Sequence, residues 1–383
     1  MLKFTHRRPT RFIYAIAVQV ASIIGIGFLA VPFVMSKAGF GVGLIYLVVM
    51  SGFIILTYLL YGEVILRTHY RHQLVGYVHK YLGGLARKIS LFTFWVGVYG
   101  STIGVLIVNG RFLSDALKML NIQINPVVLS TLFFIVAVSL VYWGLRTVAR
   151  VDFIIMFFVL LTVLLIFIVG LPAVRLENYS FSSGNLFFLP FGVILYSLYG
   201  VQGVPLVREV LAGQEHRLRK AIMWGVAIPT VIYLIFALTV VGVAGENVTP
   251  TAMDGLGQYL GPQVILVGLI LGFLTSSTIF LSIATAFKES LTEDFHFRRR
   301  WHFIAFLLPA LFLFLARVRD FIEIIGLVGG VSVSIEMILL LLVYVKCKHS
   351  GERLPEYSIR IPVPFIYLMM LLFGLGAVYT ILL

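Results

Sequence analysis

Ser22-Ile23-Ile24-Gly25-Ile26-Gly27-Phe28-Leu29-Ala30-Val31-Pro32 sets two glycines and a proline in the middle of an otherwise unbroken apolar run. Glycine lets the backbone leave helical geometry, and proline removes a donor and crowds the preceding turn. A second stretch, Tyr199-Gly200-Val201-Gln202-Gly203-Val204-Pro205, preceded by Pro190, repeats the device five runs later. Paired interruptions of this kind point to a secondary transporter, because unwound backbone offers carbonyls to cations and half-helix N-termini to carboxylates at the membrane midplane. Either break taken singly is also what close helix packing produces. The odd offset inverts the second break relative to the first, so inverted repeats follow.

Working outward, the chain is 60% hydrophobic and 12% charged, with a mean hydropathy of +1.05, far from the soluble globular range. Long unbroken apolar runs exclude the alternating strands of a membrane barrel, leaving helices. At roughly 20 residues per crossing the charged interruptions separate about eleven runs. These are Phe12 to Met35, Val42 to Leu66, Ile89 to Leu113, Pro126 to Leu145, Val151 to Pro172, Leu186 to Val207, Ala221 to Ala244, Val264 to Phe287, Trp301 to Ala316, Phe321 to Val343 and Pro362 to Leu383. The reading is an all-α polytopic membrane protein with a single transmembrane domain over 1–383: repeat one at 12–172, repeat two at 186–343, and an extra helix at 362–383.

The net charge of +13 is spread over the loops rather than gathered on a basic face, which argues against a nucleic-acid partner. Most of the 29 lysines and arginines fall on one side if the N-terminus is cytoplasmic. Lys37, Arg111, Lys118, Arg175, Arg317 and Arg319 fall on the other. The positive-inside rule therefore predicts a cell (inner) membrane protein with a cytoplasmic N-terminus and an extracytoplasmic C-terminus. The first run is longer than a signal-peptide core and lacks a small-residue cleavage site, so it is expected to stay. The single cysteine, Cys347, allows no intrachain disulfide and no cysteine metal cluster.

Gly25 to Pro32 followed by Ala38-Gly39-Phe40-Gly41 resembles the first helix of the amino acid/auxin permease family of the APC superfamily, in its bacterial aromatic amino acid permease branch. Gly203-Val204-Pro205-Leu206-Val207-Arg208, Leu218 to Ile222, Gly225 to Leu234 and Ala284 to Phe295 are similar to that branch as well. The branch carries a histidine within the sixth-helix break where this chain has Gln202. The resemblance implies the LeuT-type fold, five plus five inverted helices with broken helices 1 and 6, and proton- or sodium-coupled amino acid transport by alternating access.

For an amino acid, the α-carboxylate is expected at the backbone N–H groups of Gly25, Ile26 and Gly27, and the ammonium at carbonyls near Ser197 to Gly200. Ser22, Tyr99, Ser101, Thr102, Ser197, Tyr199 and Gln202 are candidates to line the same cavity. Hydroxyls in membrane helices also bond their own i−4 carbonyl and do nothing else. The eighth run carries Thr275-Ser276-Ser277-Thr278. The resemblance places a sodium ion between carbonyls of the first helix, here Ala21 and Ile24, and hydroxyls of the eighth, here Ser277 and Thr278. A proton-driven relative is expected to hold a lysine in the fifth helix, and Val151 to Pro172 has none, which points to sodium.

Ionisable groups in hydrocarbon are costly and usually functional. Glu336 reads either as a proton-coupling carboxylate or as a buried acid bonded to a neighbouring helix. Glu63 reads as a partner for Arg67, Arg111 and Asp115 as a local ion pair, and Arg208 with Glu209 as part of a cytoplasmic gate. An enzyme would need convergent acids, bases or metal ligands. The histidines, His6, His69, His72, His79, His216, His296, His302 and His349, stand in or beside loops without metal-ligand spacing. An amino acid exchanger, an exporter or a transporter-like sensor would share this pocket. No cofactor is expected beyond Na+ or H+ as coupling ion. The expected partners are an amino acid and the bilayer, with the cavity complete in a monomer.

Overall fold

In lipid only bonds within a helix or a closed barrel satisfy the backbone, and apolar runs of this length resolve as helices. The computed structural model describes all residues except 1–7, 71, 144–147, 183–185, 254–255, 294–308, 317–319 and 383; side chains at 8–10, 140–143, 148–156, 257–258, 271, 278, 282, 285–286 and 288–293 are also outside the description. Among the described residues every regular element is helical. They are α1 (Arg8–Ile23), a 3-10 turn (Ile26–Ala30), α2 (Val31–Ala38), α3 (Phe40–Arg67), α4 (Leu74–Leu82), α5 (Gly84–Lys118), α6 (Pro126–Trp143) and α7 (Val148–Gly170). After these come α8 (Leu189–Ser197), α9 (Gly203–Val210), α10 (Leu218–Ala244), α11 (Gly257–Leu260), α12 (Pro262–Glu293), α13 (Phe321–Leu327), a π-helical turn (Val328–Val333), α14 (Ser334–Ser350) and α15 (Val363–Leu382).

Six helices among the described residues are long and apolar enough to cross a bilayer, and the bent pair α1 and α2 makes a seventh. Shorter apolar stretches lie at Pro126–Ser139 and Phe157–Ala173. The expected ninth run lies largely outside the described residues, which include a helical stretch at 309–315. Exposed Ile45, Val48 and Val49 on α3 and Leu368, Leu371 and Leu375 on α15 give these helices apolar outer faces suited to lipid.

The first span breaks at Ile24-Gly25, and its two halves meet at 58°. Pro32 was expected to act inside the break. It stands instead in the first turn of α2, where a missing N–H costs nothing, and Pro190 starts α8 the same way. The prolines therefore begin half-helices, while the glycines interrupt them. The sixth span breaks between α8 and α9 at Leu198 to Gln202. α1 packs along α9 and α10, and the 3-10 turn and α2 pack on α8, so the two breaks meet in the interior between α5, α10 and α12.

Two features had no forecast. Span ten is wound as a π-turn over Val328–Val333 before it resumes as α14. The segment after α14 also folds back on the end of α3. There the fully buried Glu63 accepts from Arg67 Nε at 2.9 Å and Nη2 at 2.8 Å, Ser358 Oγ at 2.9 Å and the Ile359 N–H at 2.7 Å.

Candidate substrate and ion site

The first break begins at Gly25, whose φ of −122° and ψ of −163° are extended. Any residue adopts that conformation, so backbone freedom does not require a glycine here. The N–H groups of Gly25, Ile26 and Gly27 have no backbone acceptor among the described residues, because they lie at the start of the 3-10 turn. Three donors at the head of a helical segment form a ready carboxylate cradle.

Gly27 and Gly25 differ sharply in surroundings. A Cβ on Gly27 would stand 2.8 Å from Ser197 Oγ and 3.0 Å from Ser197 Cα, so the first span is pressed onto the sixth there. A Cβ on Gly25 would meet nothing nearer than the Ile23 carbonyl at 3.9 Å. Beside it lies a cavity of ≈ 20 Å³ bounded by Gly25 and Ile26, Val159 and Thr162 of α7, and Gly272, Thr275 and Ser276 of α12. On a scale where ~10–15 Å³ holds a water, this fits one small ion or water and no amino acid.

The sixth-span break is held by side chains that sequence reasoning missed. Gln19 Nε2 donates to the Gly200 carbonyl at 3.0 Å, and the Gly200 N–H donates to Tyr58 Oη at 2.6 Å. Tyr58 reaches the Leu198 carbonyl at 3.5 Å. The Tyr233 hydroxyl lies 3.1 Å from the Ile23 carbonyl and 3.0 Å from that of Ser197, bridging the two breaks. All three side chains are fully buried, and their one mark in the sequence is a polar atom within an apolar run. Of the carbonyls from Ser197 to Gly200, that of Tyr199 alone accepts no hydrogen bond among the described residues, because side chains take the others.

The remaining candidates separate. Ser22 bonds its own Val18 carbonyl at 2.8 Å, Ser197 that of Val193 at 2.7 Å, and Thr102 that of Val98 at 2.7 Å. Ser101 Oγ accepts from the Tyr196 hydroxyl at 2.9 Å, and Tyr99 stands tilted against the Phe287 ring with centroids 5.7 Å apart. Gln202 is exposed. Tyr199 turns away from the first break and donates to the Glu336 carboxylate. In the expected ion site, Ile24 is buried, Ala21 is half-buried, and Ser277 Oγ is engaged by the Phe273 carbonyl at 2.6 Å. The Thr278 side chain lies outside the described residues. Ser276 bonds Asn109 and the Gly272 carbonyl. The forecast Arg111–Asp115 pair is not formed: Asp115 pairs with Lys118 at 2.6 Å, the flexible lysine stem reaching back one turn.

Residues 8–381 match the tryptophan/tyrosine permease family. The chain belongs to that family. Glutamine transporter 2 of Aliivibrio fischeri is 23% identical over 327 residues, covering 81% of this chain and 82% of the relative. Tyrosine-specific transport system 2 of Haemophilus influenzae is 25% identical over 342 residues, covering 80% of each. The crystal structure of MhsT in complex with L-phenylalanine superposes with a TM-score of 0.69 at 14% identity, covering 98% of both chains. That likeness shows the LeuT-type fold. This permease is thus a multi-pass membrane transporter and not an enzyme.

Proposed function

We propose that this permease is an ion-coupled carrier of neutral amino acids, aromatic ones first among them, working by alternating access as a monomer in the cell membrane with its N-terminus cytoplasmic and its C-terminus outside. The observation that carries the reading is the cradle of three N–H groups at Gly25, Ile26 and Gly27, together with the Tyr199 carbonyl of the other break, all without a hydrogen-bond partner among the described residues. The cradle suits a carboxylate and the carbonyl an ammonium, so the pair selects a zwitterion by backbone alone. Side chains beyond the breaks then choose among amino acids, and the tyrosine and glutamine transporters among the relatives suggest where to begin.

The ≈ 20 Å³ cavity is too small for that ligand, so loading requires the first span to move against α7 and α12. Coupling is assigned to a monovalent cation. A sodium ion would use the Ala21 and Ile24 carbonyls with Ser277 and Thr278, and Ser277→Ala with Thr278→Ala should then abolish sodium dependence. A proton would need a carboxyl, and among the described residues Glu336 is a buried one bonded to the sixth-span break through Tyr199.

Counterflow in proteoliposomes tests the function. Vesicles loaded with unlabelled tyrosine, phenylalanine, tryptophan or glutamine should draw in the labelled amino acid when this permease is present. Failure with every amino acid would remove the reading while leaving the fold intact.

A further inference from the structure

The substrate cradle leaves Glu336 unexplained. The residue is 5% exposed and stands in the first turn of α14, three positions after the π-turn Val328–Val333. A π-turn fits an extra residue into a helix and is frequent at functional positions. This one is set against the broken sixth span: a Cβ on Gly329 would collide with the Gly192 carbonyl of α8, so the two backbones touch. Across that contact the Tyr199 hydroxyl donates to Glu336, and Thr93 of α5, whose hydroxyl donates to the Ser90 carbonyl at 3.0 Å, lies near the same carboxyl. The phenols of Tyr58 and Tyr61 on α3 lie within electrostatic range of it. The Tyr61 hydroxyl is buried and has no hydrogen-bond partner among the described residues.

None of these neighbours is a cation. The π-turn and α15 contain no charged residue. On α4, Lys80 is taken by Glu352, and Tyr77 stands edge-on to Tyr61 with ring centroids 5.7 Å apart. Arg87 and Lys88 precede Thr93 on α5 by more than a turn. A buried carboxylate that lacks a counter-charge is expensive to keep ionised while the site is closed to water.

We propose that Glu336 carries the coupling proton of this transporter and that Tyr199 links it to the substrate, an inference that rests on the amino acid reading above. One proton adds to the carboxylate from the side of higher proton activity and leaves to the other side, so an O–H bond forms and later breaks with nothing else consumed. The ionised carboxylate accepts the Tyr199 O–H. The protonated carboxyl is a weaker acceptor with a hydrogen of its own to give, so its hold on Tyr199 loosens. Tyr199 belongs to the unwound segment whose carbonyl is assigned to the substrate ammonium. Its side chain thus reports the proton and its backbone the substrate, so one residue joins the two occupancies.

The test uses sodium-free proteoliposomes holding a pH dye. Addition of the amino acid found by counterflow should acidify the lumen with the wild-type protein. Glu336→Gln keeps the size and hydrogen-bonding capacity but has no proton to release, so the acidification and pH-driven accumulation per amino acid exchanged should fall at least tenfold. Glu336→Asp should restore part of both. Wild-type counterflow without acidification would overturn the proposal, as would Glu336→Gln acidifying like wild type. Absence of wild-type counterflow would instead count against the amino acid reading. Should Glu336→Gln not exchange, the pH dependence of substrate-induced thermal stabilisation decides: flat in the variant and sloped in wild type supports the proposal, and parallel slopes overturn it.

Discussion

Adding one methyl group at Gly27 and one at Gly25 should have opposite outcomes, although the two residues look alike in the sequence. At Gly27 the new Cβ would lie 2.8 Å from both Ser197 Oγ and Tyr196 Cδ1 and 3.0 Å from Ser197 Cα. The first two are side-chain atoms that can yield, but the third is backbone of the facing span. Overpacking of a close-fitted interior costs ~1–3 kcal/mol. The cost falls on every state in which the two breaks are pressed together, substrate-bound included, and not on the unfolded chain. If the whole of it falls on the bound state, affinity drops by about 5- to 150-fold. At Gly25 the nearest atom is 3.9 Å away and the backbone is extended, so Gly25→Ala costs nothing in packing. Substrate titrations by intrinsic fluorescence or scintillation proximity on purified Gly27→Ala, Gly25→Ala and wild-type protein measure the contrast. Equal affinities for Gly27→Ala and wild type would refute the reasoning, because the two broken spans would then not be in contact in the bound state.

Tyr233→Phe removes a hydroxyl shared by the Ile23 and Ser197 carbonyls and leaves buried acceptors unpaired, at a cost of ~1–3 kcal/mol. Its thermal unfolding midpoint in detergent should fall, and an unchanged midpoint would deny the bridge. Glu63→Ala strands Arg67 and two further donors at a buried position, and loss of one partner of a buried pair costs roughly 3–5 kcal/mol. Denaturant unfolding of that variant should show the largest loss of the set. Lys80 and the His69 N–H hold the Glu352 carboxyl below its ordinary 4.5. The folded state thus favours the ionised form, so this tie is in place above the ordinary carboxylate range and is lost as pH falls through the lowered value. The acid limb of thermal stability should be less steep in Lys80→Ala than in wild type.

How much of this was legible in the sequence depends on whether the cause was local. Glycines at 25, 27, 200 and 203 within apolar runs show both breaks, because a helix in lipid has no other local reason to be interrupted so twice. The prolines misplaced the break by some residues, since Pro32 and Pro190 start half-helices and a sequence does not say on which side of a proline the chain is unwound. Glu63 with Arg67 is visible as a four-residue spacing on one helix, but closure of that pair by Ser358 and Ile359 comes from across the fold. Gln19, Tyr58 and Tyr233 join residues 140 to 210 positions apart. Only the packed fold brings them to the sixth-span break. The π-turn left no mark beyond Gly329-Gly330, and Tyr199 was assigned to the cavity because its direction cannot be read from its position.

Thermal stabilisation of the purified wild-type protein by each of the twenty amino acids, and by the matching decarboxylated amines and amides, tests the central claim most directly. The account predicts a rise in unfolding temperature with a chemically related group of neutral amino acids and none with their amines or amides, since the cradle at Gly25 to Gly27 needs the carboxylate. Ligand at about 100 times its Kd stabilises by ~2.7 kcal/mol, a shift that is readily measured. Equal stabilisation by amines and amino acids, or none by any amino acid, would contradict it.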